Sequence, residues 1–241
     1  RRRGPVARHC LPARLGPWSV TGQPQTEWVG ADKQTGTNPG VTGPGPRGVE
    51  WDDKQGADNH QGAEGAVEVV LSRVLSAVGY HQPPVYFVSS FSMTDASGTH
   101  RLPGGRFRLK DNRLTKLGDW SWQQNPFVGT KPYQGLLVIL TMFDSSDLKN
   151  MNNTLYEVRT SDDERHTWFV VRDLGTALGE TGRLKPRRSD PGLFERHPFI
   201  VGVKDGFVEV DYHGWHQELL RRRITTEECD GASVLVAALC R

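Results

Sequence analysis

Cysteine is scarce in this chain: Cys10, Cys229 and Cys240 are the 3 thiols scattered through 241 residues. That number and spacing exclude a disulfide framework and a zinc site of paired Cys ligands, and leave the thiols incidental. An excess of one charge is missing too. Lys and Arg total 30 against 28 Asp and Glu, a formal net charge of +2, so no strong field draws the chain to nucleic acid or to an anionic membrane. Long apolar runs are lacking: residues 136–143 are among the longest, far short of the ~20 residues that cross a bilayer. No apolar segment follows the basic Arg1, Arg2 and Arg3. A chain without a transmembrane segment is expected, soluble, and cytoplasmic rather than secreted.

Apolar periodicity is absent from residues 1–48, which are crowded with Gly, Pro, Thr and Gln. This predicts a loop-rich or poorly ordered N-terminal segment. Within it, Gly43, Gly45 and Gly48 have the G-x-G-x-x-G spacing that lets backbone approach a phosphate, but Pro44 and Pro46 remove donors there, as in a linker.

What is present begins with a strand over residues 49–54. A helix follows from about residue 66, where Val67, Val70, Leu71, Val74, Leu75 and Val78 repeat at helical spacing and Gly79 supplies a stop. Strands are predicted at 85–88 and 106–109. Residues 133–143 form a helix apolar nearly all round, and therefore buried. Polar residues take over at Asp144. Two short strands, 154–158 and 168–171, are joined by a charged turn, and a hairpin pairs 199–203 with 206–210 across Lys204 and Asp205. Helices are expected at 215–223 and 226–239.

Between the buried helix and the strand pair, residues 144–153 place acid, base and amide side chains close in sequence; Arg172, Asp173, Leu174 and Gly175 follow the second strand. Phosphoryl transfer from ATP needs a carboxylate to orient the attacking hydroxyl, a cation near the transferring phosphoryl, and oxygen ligands that hold magnesium against the phosphates. Asp147, Lys149, Asn152 and Asp173 can supply these in that order.

Here the chain resembles the protein-kinase superfamily. Asp147, Leu148 and Lys149 followed by Asn152 match the D-L-K-x-x-N portion of the kinase catalytic loop, and Asp173, Leu174 and Gly175 match its D-F-G element with Leu for Phe. Ser145 and Ser146 stand where classical protein kinases carry His-Arg, and no A-P-E follows Gly175. The pattern is therefore similar to the divergent kinases, the HipA, CotH and lipid-kinase-like types. The resemblance implies Asp147 as catalytic base, Lys149 beside the γ-phosphate, and Asn152 with Asp173 as Mg2+ ligands.

It also implies an α+β, two-lobed protein-kinase-like fold: a small sheet-plus-helix N-lobe at 49–129 and a mainly helical C-lobe at 130–241, open to truncation. A kinase fold further needs a strand lysine for the α- and β-phosphates and a helix glutamate that pairs with it. Lys54 and Glu68 stand in that order; Lys110 is the rival lysine, with no amphipathic helix directly after it. The expected activity is ATP- and Mg2+-dependent transfer to a hydroxyl of a protein, lipid or small molecule.

Two other readings compete. A pseudokinase would bind nucleotide or a partner in the same cleft without turnover. A metal-dependent hydrolase would draw on Asp144, Asp147, Asp173 and the region of His213 and His216, with Glu218 nearby. His81 reads as a capping or packing residue, Trp120 and Trp122 as packed aromatics. Arg183, Lys185, Arg187 and Arg188 form a basic loop suited to solvent or to an acidic substrate.

Overall fold

The structure, a computed structural model, describes residues 27–29, 31–32, 40–44, 50–55, 63–95, 97–160, 164–178, 190–196, 200–212, 216, 219 and 224–227. The three cysteines, Gly45, Gly48, the basic cluster from Arg183 to Arg188, His213, Glu218 and most of the two expected C-terminal helices lie outside these residues.

A six-stranded sheet is built from β1 (Glu27–Val29), β2 (Ala31–Asp32), β3 (Val41–Pro44), β4 (Glu50–Gln55), β5 (Val85–Asp95) and β6 (Gly98–Leu109). Its order is β1-β5-β6-β4-β3-β2, antiparallel except for the parallel β1–β5 pair. Three of these strands come from the segment expected to be loop-rich. Their brevity and their Gly and Pro residues gave no period-2 signal, and pairing with β4 and β5 supplies the order that local propensity does not.

Helix α1 (Ala63–Ala77) covers one face of this sheet. Its first turn approaches β6 so closely that a Cβ at Gly65 would meet the Arg106 backbone nitrogen at 3.1 Å. The helix ends at Gly79, whose φ of +102° is the conformation that only glycine adopts without strain.

Strands β7 (Leu114–Gly118), β8 (Asn153–Arg159) and β9 (Arg165–Val171) form a second, three-stranded antiparallel sheet. The change of sheet falls between β6 and β7. Helix α2 (Lys131–Met142) opens with Thr130, whose side chain accepts from the Tyr133 amide, and carries Pro132 in its first turn. Its Leu136 to Leu140 are all buried, as an all-round apolar helix requires.

The main core joins Val67, Leu71 and Leu75 of α1 to α2, Trp120, Trp122, Leu148, Val171, Leu174, Val208 and Tyr212. Trp122 is fully enclosed, and Trp120 donates its ring N–H to the Val170 carbonyl at 3.1 Å; both are packing residues, as expected. A short helix, α3 (Pro191–Arg196), and the hairpin β10 (Ile200–Lys204) and β11 (Phe207–Val210) complete the described elements. Asp205 and Gly206, both with positive φ, make the hairpin turn. No helix among the described residues is long and apolar enough to cross a membrane.

Candidate phosphoryl-transfer site

The site begins where α2 ends. The Ser145 amide bonds the Leu140 carbonyl at 2.8 Å and the Asp144 amide bonds that of Thr141 at 2.9 Å, with Asp144 at φ 46°. This is the Schellman closure of a helix, with Asp in the place usual for glycine. It turns the chain sharply into residues 145–149. Tyr212 fixes that turn by donating to the Ser145 carbonyl at 2.7 Å. Burial first, then Asp144 and Asp147, push the Tyr212 phenol well above its ordinary range, so it remains a donor.

Asp147 and Lys149 form an ion pair at 2.8 Å. Asn152, at the end of the 3-10 turn Asn150–Asn152, donates its side-chain N–H to the Asp147 carbonyl at 2.8 Å. With its amide nitrogen so used, its Oδ1 is the atom left to accept or to ligate.

The β8–β9 register then decides what lies beside this loop. Asn153 pairs with Val171, and the Arg172 amide donates to the Asn152 carbonyl at 3.0 Å. The two sequence motifs, twenty-odd residues apart, therefore meet at one end of one hairpin. Asp173 follows in the left-handed conformation, φ 55° and ψ 44°, which is uncommon away from glycine and concentrates at functional sites. Leu174–Thr176 form a 3-10 turn packed under α1. A Cβ at Gly175 would lie 2.7 Å from the Glu64 carbonyl oxygen, so this position holds glycine for lack of room.

Lys54 reaches this place from β4, its Nζ 3.3 Å from Asp173 Oδ1. Burial raises the Asp173 carboxyl, but Lys54, Arg108, Arg172 and Arg106 outweigh it and hold the pKa at about 2. An ionised carboxylate and an amide oxygen are hard donors of the kind Mg2+ takes, so Asp173 and Asn152 fit that ion.

Glu68 does not take the partner expected from the sequence. Its Oε1 is 3.1 Å from Arg106 Nε and 2.8 Å from Arg108 Nη2, while the lysine pairs with Asp173. The register explains the exchange. Asp52 stands opposite Arg108 and Lys54 opposite Arg106, so all four share the face that α1 covers, and two guanidiniums reach Glu68 directly. Lys54 still acts on Glu68 through space. Burial raises the Glu68 carboxyl, but Arg106, Arg108 and Lys54 together bring it below its usual value.

From the sequence, Arg106 and Arg108 are strand residues with no further role. The signal was there: charged residues at i and i+2 of a strand, flanking the buried Phe107, demand carboxylate partners on the covered face. The rival Lys110 lies at the surface, paired with Glu50 at 3.0 Å. His81 stacks on Trp168, ring centroids 4.4 Å apart, consistent with packing. His216 hydrogen-bonds Gln123 at 3.0 Å. Among the described residues no three His, Cys, Asp or Glu side chains converge as a metal cluster.

No family model matches the chain, and no curated protein matches it. Among solved structures it is similar to the proinflammatory kinase CtkA of Helicobacter pylori, at 11% identity and a TM-score of 0.40, over 64% of this chain and 62% of that one. It is also similar to the Rio2 kinase of Chaetomium thermophilum, solved as an ADP/Mg2+–phosphoaspartate complex, at 11% identity and a TM-score of 0.36, over 69% of this chain and 51% of that one. The chain thus spans 62% and 51% of the lengths of these two kinases.

Proposed function

We propose that the chain is an ATP- and Mg2+-dependent phosphotransferase of the divergent protein-kinase-like kind, acting on a hydroxyl acceptor. The nucleotide would occupy a cleft between the α1-covered sheet and the part built on α2 and the β8–β9 hairpin. The observation that carries this reading is the junction at Asn152 and Arg172, which brings the Asp147 loop beside Asp173 while Lys54 arrives from another sheet. Lys54 contacts Asp173, and the Asn152 carbonyl accepts from the residue just before Asp173, which supports this reading.

Each residue has a definite task. Asp147 accepts the proton of the acceptor hydroxyl as its oxygen bonds the γ-phosphorus and the bond to the ADP oxygen breaks. Lys149, 2.8 Å from Asp147, keeps that carboxylate placed and sets a cation near the transferring group. Lys54 contacts the α- and β-phosphates, and Asn152 with Asp173 would hold Mg2+. When bound, the ion supplies charge that offsets phosphate repulsion.

The test is the melting temperature of the whole chain with ATP plus Mg2+, each alone, and ATP with chelator. A ligand that binds only the native state must raise it, by about 2.7 kcal/mol of stability at a hundredfold excess over Kd. A rise that requires both components supports the proposal. An equal rise with Mg2+ alone favours the hydrolase reading, and no rise removes the nucleotide site. Labelled phosphate transfer then separates a kinase from a pseudokinase.

A further inference from the structure

We propose that Arg108 is a second phosphate-binding cation of this site, its Nε and Nη1 donating to a phosphate oxygen of the nucleotide that Lys54 also engages. The proposal rests on the phosphotransferase reading and extends it to a residue outside the matched motifs.

Arg106 and Arg108 both approach Glu68, but they are not equally spent. Arg106 donates its Nη1 to the Asp52 carbonyl at 3.2 Å, and its Nε, 3.1 Å from Glu68 Oε1, is enclosed without a hydrogen bond, one such donor against two in Arg108. It is 1% exposed, wedged between α1 and the sheet, and serves to dock the helix. Arg108 makes one hydrogen bond, from Nη2 to Glu68 at 2.8 Å. Its Nη1 stands 3.9 Å from Asp52 Oδ2, too far for a hydrogen bond, and neither Nη1 nor Nε has an acceptor although both are enclosed. The side chain as a whole is 8% exposed.

A guanidinium carries five N–H donors in a planar fork that matches phosphate oxygens, and buried donors without acceptors are costly. Enclosed donors of this kind call for an anion. Beside Arg108, Lys54 pairs with Asp173, and Arg106 and Arg108 share Glu68 and Asp52. Arg172 donates its Nη1 to Thr154 at 3.4 Å, and its Nε too is enclosed without an acceptor.

Phosphate contact and simple support of Glu68 make different predictions for ligands with and without phosphate. Glu68→Gln is compared with Glu68→Gln/Arg108→Gln, a pair in which the second variant restores the local charge balance. Binding of ATP and of adenosine, each with Mg2+, is titrated on the full chain. The ratio of ATP to adenosine affinity should be about 10- to 100-fold lower in the double variant, the value of a charge-assisted hydrogen bond. Equal ratios would assign Arg108 to Glu68 alone and overturn the proposal. Arg108→Lys, which keeps the charge but loses the fork, carries the same readout if the double variant does not fold: against wild type, a lowered ratio supports phosphate contact and an unchanged one refutes it. Wild type that binds no ATP would overturn the phosphotransferase reading itself, and this proposal with it.

Discussion

Lys54 and Asp173, 119 positions apart in sequence, meet with Nζ 3.3 Å from Oδ1. The pair joins the sheet under α1 to the end of the β8–β9 hairpin. It also keeps each charge compensated where both side chains are partly buried.

Asp147 is the expected base. Asp147→Asn should cut turnover by roughly 100- to 10,000-fold while leaving nucleotide affinity nearly unchanged, since an amide keeps the shape but cannot take the proton. Steady-state kinetics alongside ATP titration measure both. Full activity in Asp147→Asn with loss in Asp144→Asn would move the base to Asp144.

Glu68 anchors the helix over the sheet. Glu68→Ala leaves two arginines in a buried site without their shared carboxylate, and breaking such a pair costs about 3–5 kcal/mol. Denaturant unfolding should show a loss of that size. A change within ~0.5 kcal/mol would show that the arginines are neutralised by Asp52 alone.

Gly175 has no room for a side chain. Gly175→Ala places a methyl 2.7 Å from the Glu64 carbonyl oxygen, so α1 and the 174–176 turn must part, at a cost of about 1–3 kcal/mol. Urea midpoints of the two proteins test this, and an unchanged midpoint would mean that the turn yields freely.

These interactions divide by how visible they are in the sequence. Helices α1 and α2 declare themselves because their apolar faces repeat along one segment, and the D-L-K-x-x-N and D-L-G residues stand close enough in sequence to be matched. Strand β5 shows only its first four residues. Beyond Val88 it runs through Ser89, Ser90, Ser92 and Thr94, and its extension to Asp95 comes from pairing with β6 rather than from apolar alternation. The partners of Glu68 were hidden for a related reason. Choosing Arg106 and Arg108 over Lys54 requires the β4–β6 register and the placement of α1, which are long-range facts.

His81 makes stability depend on pH. Partial burial against Trp168, and then the charge of His166, lower its pKa below the ordinary 6.5. A His with a depressed folded value binds fewer protons folded than unfolded, so its contribution is complete above pH 6.5 and is lost as pH falls toward the folded value. The melting temperature should therefore decline as pH falls below 6.5, and His81→Phe should flatten that slope. A slope unaltered in His81→Phe would assign the effect to other groups.

The central claim is that Asp173 holds the metal that brings ATP to this cleft. Melting temperatures of wild type and Asp173→Ala, each with and without Mg2+-ATP, test it most directly. The account predicts that the variant stays folded and that its ligand-induced rise disappears. A rise in Asp173→Ala equal to that of wild type would contradict it.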